Sequence, residues 1–201
     1  MRDVAAAPGP DQRPLGLRER KKIKTRLAIR RAAFTLFDER GYTDTTTEQI
    51  AMAAGVSAST LFRYFPSKES VVLADDLSTV ILAALASQPA ELSGLTAFRT
   101  AVHTAYSQMA TAEWETEKTR QRLLYSLPEL QGALRDEYNS LLSGVSEAMA
   151  VRLGRGSHEL ELRVFAGAVI GSVMALGNRG PFSLDNVDEA MDFLESGLRL
   201  S

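Results

Sequence analysis

The chain has no cysteine, two histidines and one tryptophan in 201 residues. Without cysteine there is no disulfide, no thiolate zinc or iron–sulfur site and no cysteine nucleophile. His103 and His158 lie far apart in sequence, so neither a multi-histidine metal centre nor any other metal or cofactor is expected. Apolar runs are short, and none approaches the roughly 18 residues that cross a bilayer, so no membrane partner is expected. The opening Met1-Arg2-Asp3-Val4-Ala5 does not lead into the apolar stretch of a secretion signal, which points to a cytoplasmic protein. Useful strand alternation and fixed-period repeats are lacking. So are a phosphate-binding glycine loop and a nucleophile–base pair. Asp75 and Asp76 fall in a helical run, and an enzyme is not expected.

What the chain does have is helical periodicity and an uneven distribution of charge. It is 45% hydrophobic and 24% charged. A chain of this length buries about 70% of its unfolded surface without staples. Residues 1–68 hold 13 Lys and Arg against 7 Asp and Glu, whereas residues 69–201 hold 10 against 18. A basic first third on an acidic remainder suggests two working parts, the first suited to a polyanion.

Residues 1–17, with Pro8, Gly9, Pro10, Pro14 and Gly16, bury little and read as a flexible basic arm. Either this arm is plainly disordered, or Arg13, Arg18 and Arg20 enter a minor groove. From Leu17 to Arg40 one apolar face recurs through Ile29, Ala32, Ala33, Leu36 and Phe37, and Gly41 ends the helix. Thr45 with Glu48, or Thr46 with Gln49, fits a capping box for a short helix ending near Ala54-Gly55. Ser57 caps a second short helix, stopped by Pro66. A long helix followed by two short ones about a tight glycine turn is a helix-turn-helix unit over 18–66. Ile50, Ala51, Val56, Leu61 and Phe65 are expected to join Leu36 and Phe37 in its core.

The exposed face of the second short helix would carry Ser59, Thr60, Arg63 and Tyr64 towards base edges in a major groove. Hydroxyls and cations at helix starts suit phosphates, which adds Thr45, Thr46, Thr47, Ser57 and Lys68. Arg20 and Lys24 extend the basic face. The remainder, 67–201, is expected to form six helices, near 67–86, 95–111, 113–126, 129–153, 158–177 and 186–200. The fold class is therefore all-α.

Arg40-Gly41-Tyr42, the run Thr46 to Ala51, Ala54-Gly55-Val56-Ser57 and the run Thr60 to Glu69 resemble the DNA-binding domain of TetR-family transcriptional regulators. The resemblance implies an all-helical homodimer with a DNA-binding head and a ligand-binding, dimerising body over 67–201. It also implies a repressor released from a palindromic double-stranded operator by a small-molecule effector. Phe62 stands where the family most often has tyrosine, so a phosphate hydrogen bond is missing there. The stretch Arg120 to Leu130, with Arg152-Leu153-Gly154 and Phe62 to Phe65, resembles a subgroup that includes the mycofactocin-system regulator. That subgroup is associated with acyl-CoA-like ligands. An effector-independent accessory DNA-binding protein is the alternative.

In the body, Phe98, Val102, Tyr106 and Met109 share a helix face. Trp114, Leu123, Leu124, Tyr125 and Leu127 can line a facing surface, so these residues form either an effector site or plain core. Arg122 is either an anchor for an anionic head group or a surface ion pair with Glu115 or Glu129. Gly167, Gly171 and Ala175, flanked by Val164, permit close helix approach, and Val187, Met191, Leu194 and Leu198 form a second stripe. The two stripes form a twofold interface or pack within the chain.

Overall fold

A computed structural model describes residues 16–177 and 183–199, so the arm expected over 1–17 lies almost wholly outside the described residues. The described residues form ten α-helices and one 3-10 turn, with no strand among them. The head comprises α1 (Leu17–Arg40), α2 (Thr47–Ala53) and α3 (Ala58–Tyr64). Next come α4 (Lys68–Leu73), α5 (Asp76–Ala86), α6 (Gly94–Ser107) and α7 (Thr111–Ser126). A 3-10 turn (Pro128–Leu130) precedes α8 (Gln131–Leu153), α9 (Leu160–Gly177) and α10 (Leu184–Glu195).

The single helix expected over 67–86 is two helices, which gives the body seven rather than six. The cause is local. The Asp75 carboxylate accepts from the backbone N–H groups of Leu77 and Ser78, both at 3.0 Å, and so caps a new helix. Ala74 before it is extended (φ −66°, ψ 108°) and ends α4.

Two apolar clusters organise the chain. The head cluster unites Ile29, Phe34, Leu36, Phe37, Ile50, Leu61 and Phe65, with Val56 packed against them. It also takes in Val71 and Val72 of α4 and Leu123, Leu124 and Leu130 of the body. Head packing thus runs past residue 66. Gly55, at φ +66°, makes the turn between α2 and α3 that a side chain would strain.

The body cluster centres on Leu85, Phe98, Val102, Val145, Met149 and Val169. Gly144 lets α8 approach α5, because a Cβ there would lie 2.6 Å from Leu82 Cδ1. Arg152 is buried, and its guanidinium donates to the Pro89 carbonyl at 2.7 and 3.1 Å, pinning the α5–α6 loop. Among the described residues no helix is long and apolar enough to cross a membrane.

Candidate functional site

The helix-turn-helix is built by its caps. The Thr46 N–H donates to Gln49 Oε1 at 3.0 Å, while the Gln49 N–H donates to Thr46 Oγ1 at 3.2 Å. Of the two capping boxes the sequence allowed, this is the one that forms. Ser57 Oγ accepts from the Thr60 N–H at 3.1 Å and opens α3. Leu61 and Phe65 anchor the inner face of that region at 0% and 1% exposure. The outward side carries Ser59, Phe62 and Arg63, with Thr60 and Tyr64 half-buried. The Arg63 guanidinium lies 5.5 Å from the Tyr64 ring centroid. Arg20 and Lys24 are exposed on the first turns of α1, beside exposed Arg18, Lys21 and Lys22. Thr47, half-buried, stands at the start of α2.

Two of the expected phosphate contacts are internal instead. Thr45 is buried, and its hydroxyl lies within hydrogen-bond reach of the Gly41 carbonyl at 2.8 Å and the Leu36 carbonyl at 3.3 Å. It ties down the end of α1. The Lys68 ammonium donates to the carbonyls of Tyr42 (2.6 Å) and Thr45 (3.0 Å) and sits 4.2 Å from the centroid of the Tyr42 ring. Its charge closes the α1–α2 loop. Both carry hydrogen-bonding groups suited to DNA, but the loop uses those groups first.

The body holds a partly open cavity of about 110 Å³ lined from α5, α6, α7, α8, α9 and α10. Phe98, Val102, Tyr106 and Tyr125 line it. Trp114 stands behind the wall, edge-on to Tyr106 with ring centroids 4.9 Å apart. Met109 lines a separate cleft between α1 and the body. Leu127 packs against the head cluster. Arg122 is exposed, away from the cavity, and its guanidinium donates to Asp38 on α1 at 2.8 Å. It pairs with neither Glu115 nor Glu129 and instead bridges body to head.

The cavity also has a polar wall, formed by Asp75, Glu117, Arg120 and Glu137. Arg120, 4% exposed, grips Glu117 through two hydrogen bonds of 2.8 Å. Its Nη2 lies 3.8 Å from Asp75 and its Nη1 3.8 Å from Glu137. Burial alone would lower the guanidinium pKa, but Glu117, then Asp75 and Glu137, hold it charged well above its ordinary value. Burial pushes the Glu137 carboxyl up to about 7, with the Arg120 charge opposing and the nearby Asp75 reinforcing the rise. Burial likewise raises the Tyr106 and Tyr125 hydroxyls above their usual range. A sequence signal existed. Glu117, Arg120 and Leu124 recur at helical spacing, which places two charges on an apolar face.

The two expected dimer stripes part company. Val187 and Met191 are fully buried in the body cluster, and Leu194 packs against it. Polar ties hold α10 there: His103 Nε2 lies 2.9 Å from Asp188, and Arg99 pairs with Asp188 and Asp192. This stripe is core within the chain. Leu198 lies beyond α10 and is exposed. On α9, Val164 is 60% exposed, Gly171 and Ala175 are exposed, and Gly167 is half-buried.

Residues 29–74 match the family described as bacterial regulatory proteins of the tetR family, and residues 92–199 match the MftR C-terminal domain. The chain belongs to the TetR family. It is a DNA-binding transcriptional regulator with an MftR-type C-terminal domain, in a family that is not enzymatic. It is 26% identical to MftR of Mycobacterium tuberculosis, named for transcriptional regulation of mycofactocin biosynthesis, across 78% of this chain and 79% of that one. It is 40% identical to the transcriptional regulator TcmR of Streptomyces glaucescens over 50% of this chain, a stretch that spans only 45% of TcmR. The solved structure of the fatty acid degradation regulator FadR from Bacillus halodurans superposes with a TM-score of 0.58 at 21% identity, covering 86% of this chain and 98% of that one, and shows the shared fold.

Proposed function

We propose that this TetR-family chain is a repressor that binds a palindromic operator as a homodimer and leaves it when a small, partly apolar effector fills the body cavity. One observation carries the reading. Leu124 belongs to the head cluster and also lines the cavity. Asp75, which follows the head-packed α4, lines the cavity as well. An effector that repositions these residues acts directly on the seat of the DNA-reading helices.

In this reading Ser59, Thr60, Arg63 and Tyr64 meet bases and phosphates, and Thr46, Thr47, Ser57, Arg20 and Lys24 hold the backbone. The exposed α9 face of Leu160, Val164, Gly171 and Ala175 supports a twofold interface, with Phe193 and Leu198 also exposed. Two related α3 helices then require half-sites one helical turn apart or a multiple of it. An acyl-CoA-like effector, implied by the subgroup resemblance, would bring several phosphates. The cavity lining offers a single cation, already bound to Glu117.

The test is coupling between the two sites. Compounds that raise the melting temperature are added at saturation, and operator affinity is measured with and without them. An effector is expected to weaken operator binding by about 5–150-fold, and operator DNA to weaken effector binding by the same factor. Unchanged operator affinity with a saturated cavity contradicts the reading.

A further inference from the structure

We infer that the body cavity takes a small organic cation, with an apolar ring in the interior and a protonated amine at an acidic mouth beside α8. The inference rests on the cavity being the effector site and names the class of effector. It starts from where the cavity opens. Asp75, Ser78, Glu137 and Leu141 line both the cavity and an outer recess between the start of α5 and the N-terminal half of α8. That recess also carries Asp136, and among the described residues its lining includes no lysine, arginine or histidine. Across the two spaces Asp75, Glu117, Asp136 and Glu137 set four carboxyl groups against one guanidinium, that of Arg120. Such a lining draws cations from solvent and turns anions away.

The second observation is how little of that charge the guanidinium answers. Arg120 makes its hydrogen bonds to Glu117, two of them at 2.8 Å. It stands 3.8 Å from Asp75 and 3.8 Å from Glu137, too far for a hydrogen bond to either. Its Nη1 is fully buried without a hydrogen-bond partner, so it neither holds Glu137 nor reaches a ligand. Asp75 and Glu137 are near neighbours, and their side chains keep 14% and 15% exposure. Two close carboxyl groups in a low-dielectric wall need a positive charge between them or a proton on one of them. An ammonium supplies that charge and donates to both. A hydroxyl leaves the like charges uncompensated, and a carboxylate adds another.

The apolar part of the cavity sets the body of the ligand. A volume of about 110 Å³ is comparable to the engineered ~150 Å³ cavity that holds benzene. Phe98, Tyr106, Tyr125 and Tyr138 supply ring faces for aromatic packing and for cation–π contact with the head group.

The test is calorimetry on the full chain with benzylammonium, benzyl alcohol and benzoate, which share one ring and differ in charge. At pH 7 benzylammonium is expected to bind about tenfold more tightly than benzyl alcohol, and benzoate the most weakly. Raising the pH from 6 to 8 ionises Glu137, which faces Asp75, Glu117 and Arg120. Benzylammonium affinity should rise about tenfold over that range, with benzyl alcohol unchanged. Glu137→Gln should remove the pH dependence. Should that variant fail to fold, Asp136→Asn at an exposed position of the mouth should weaken benzylammonium by about two- to fivefold and leave benzyl alcohol unaffected. Contacts by nuclear magnetic resonance between benzyl protons and the methyls of Ile81, Val102 and Ile170 place the ring in the cavity. Benzyl alcohol or benzoate matching benzylammonium overturns the inference, as does a cation affinity independent of pH, binding elsewhere or no binding by any probe. Benzylammonium binding in the expected order without any change in operator affinity upholds the inference and sinks the repressor reading. Release of the operator by an uncharged or anionic molecule, with benzylammonium inert, does the reverse.

Discussion

The head and the body handle charge in opposite ways. In the head the largest fully buried side chains are apolar, Ile29, Ile50, Leu61 and Phe65 among them; Arg30 of α1 is buried, but Arg18, Arg20, Lys21, Lys22 and Lys24 stand in solvent. In the body an arginine and three carboxyl groups surround a cavity inside an otherwise apolar packing. Such a cluster is a poor way to gain stability, because buried ion pairs often match or fall below apolar replacements. The head is therefore a scaffold whose chemistry faces outward to a large polyanion. The body turns charged groups inward, onto the lining of its cavity. Shared packing at Leu124 and α4 joins the two.

Substitutions can break or sharpen this contrast. The largest effect is expected from Arg120→Ala, which strands Glu117 and Asp75 without their cation. A loss of about 3–5 kcal/mol in urea unfolding is expected, and a loss below 1 kcal/mol would mean the cluster is hydrated rather than buried. Glu137 comes next, and its effect depends on pH. Its folded pKa of about 7 lies above the ordinary 4.5, so the folded state holds this proton more tightly than the unfolded chain. The stabilisation is full below about pH 4.5 and is lost as pH rises through 7, a change of about 2 kcal/mol after allowance for partial exposure. Melting temperature followed from pH 5 to 8 should fall for this reason, and Glu137→Gln should flatten that part of the profile. An unchanged slope in the variant would remove Glu137 from the account.

The head should answer differently. Arg63→Ala is expected to cost about 1–3 kcal/mol in operator affinity, measured by fluorescence anisotropy, with no shift in the unfolding midpoint. A variant that binds the operator normally would show that α3 reads DNA without this side chain. The smallest effect falls on the bridge between the parts. Arg122 and Asp38 have side chains 60% and 64% exposed, so Arg122→Ala should alter stability by no more than about 1 kcal/mol. A larger loss would show that the bridge holds head and body in register.

Much of this architecture can be read from residue order, but unevenly. The head was legible because its caps, its glycine turn and its core each leave a short-range mark: Thr46 with Gln49, Gly55, and Leu61 with Phe65. The internal bonds of Thr45 and Lys68 leave no such mark, because their partners are backbone carbonyls, which no side-chain pattern reports. Asp75 lies in an uninterrupted helical pattern, yet its carboxylate starts a helix and so splits one element into two. Half of the aromatic cavity wall followed from periodicity on α6. The ionic wall did not, because it assembles from α7, α8 and the start of α5. Val187 and Met191 show the limit of an amphipathic stripe: periodicity identifies the buried face without saying what buries it.

The account depends most on the head being a sequence-specific reader of DNA. The direct measurement mixes the purified chain with sheared DNA from its own genome at two salt concentrations and sequences what remains bound. The account predicts enrichment of one palindrome, with half-sites a helical turn or a multiple apart, retained at the higher salt. Binding without sequence preference that disappears as salt rises would reduce the head to phosphate attraction and contradict it.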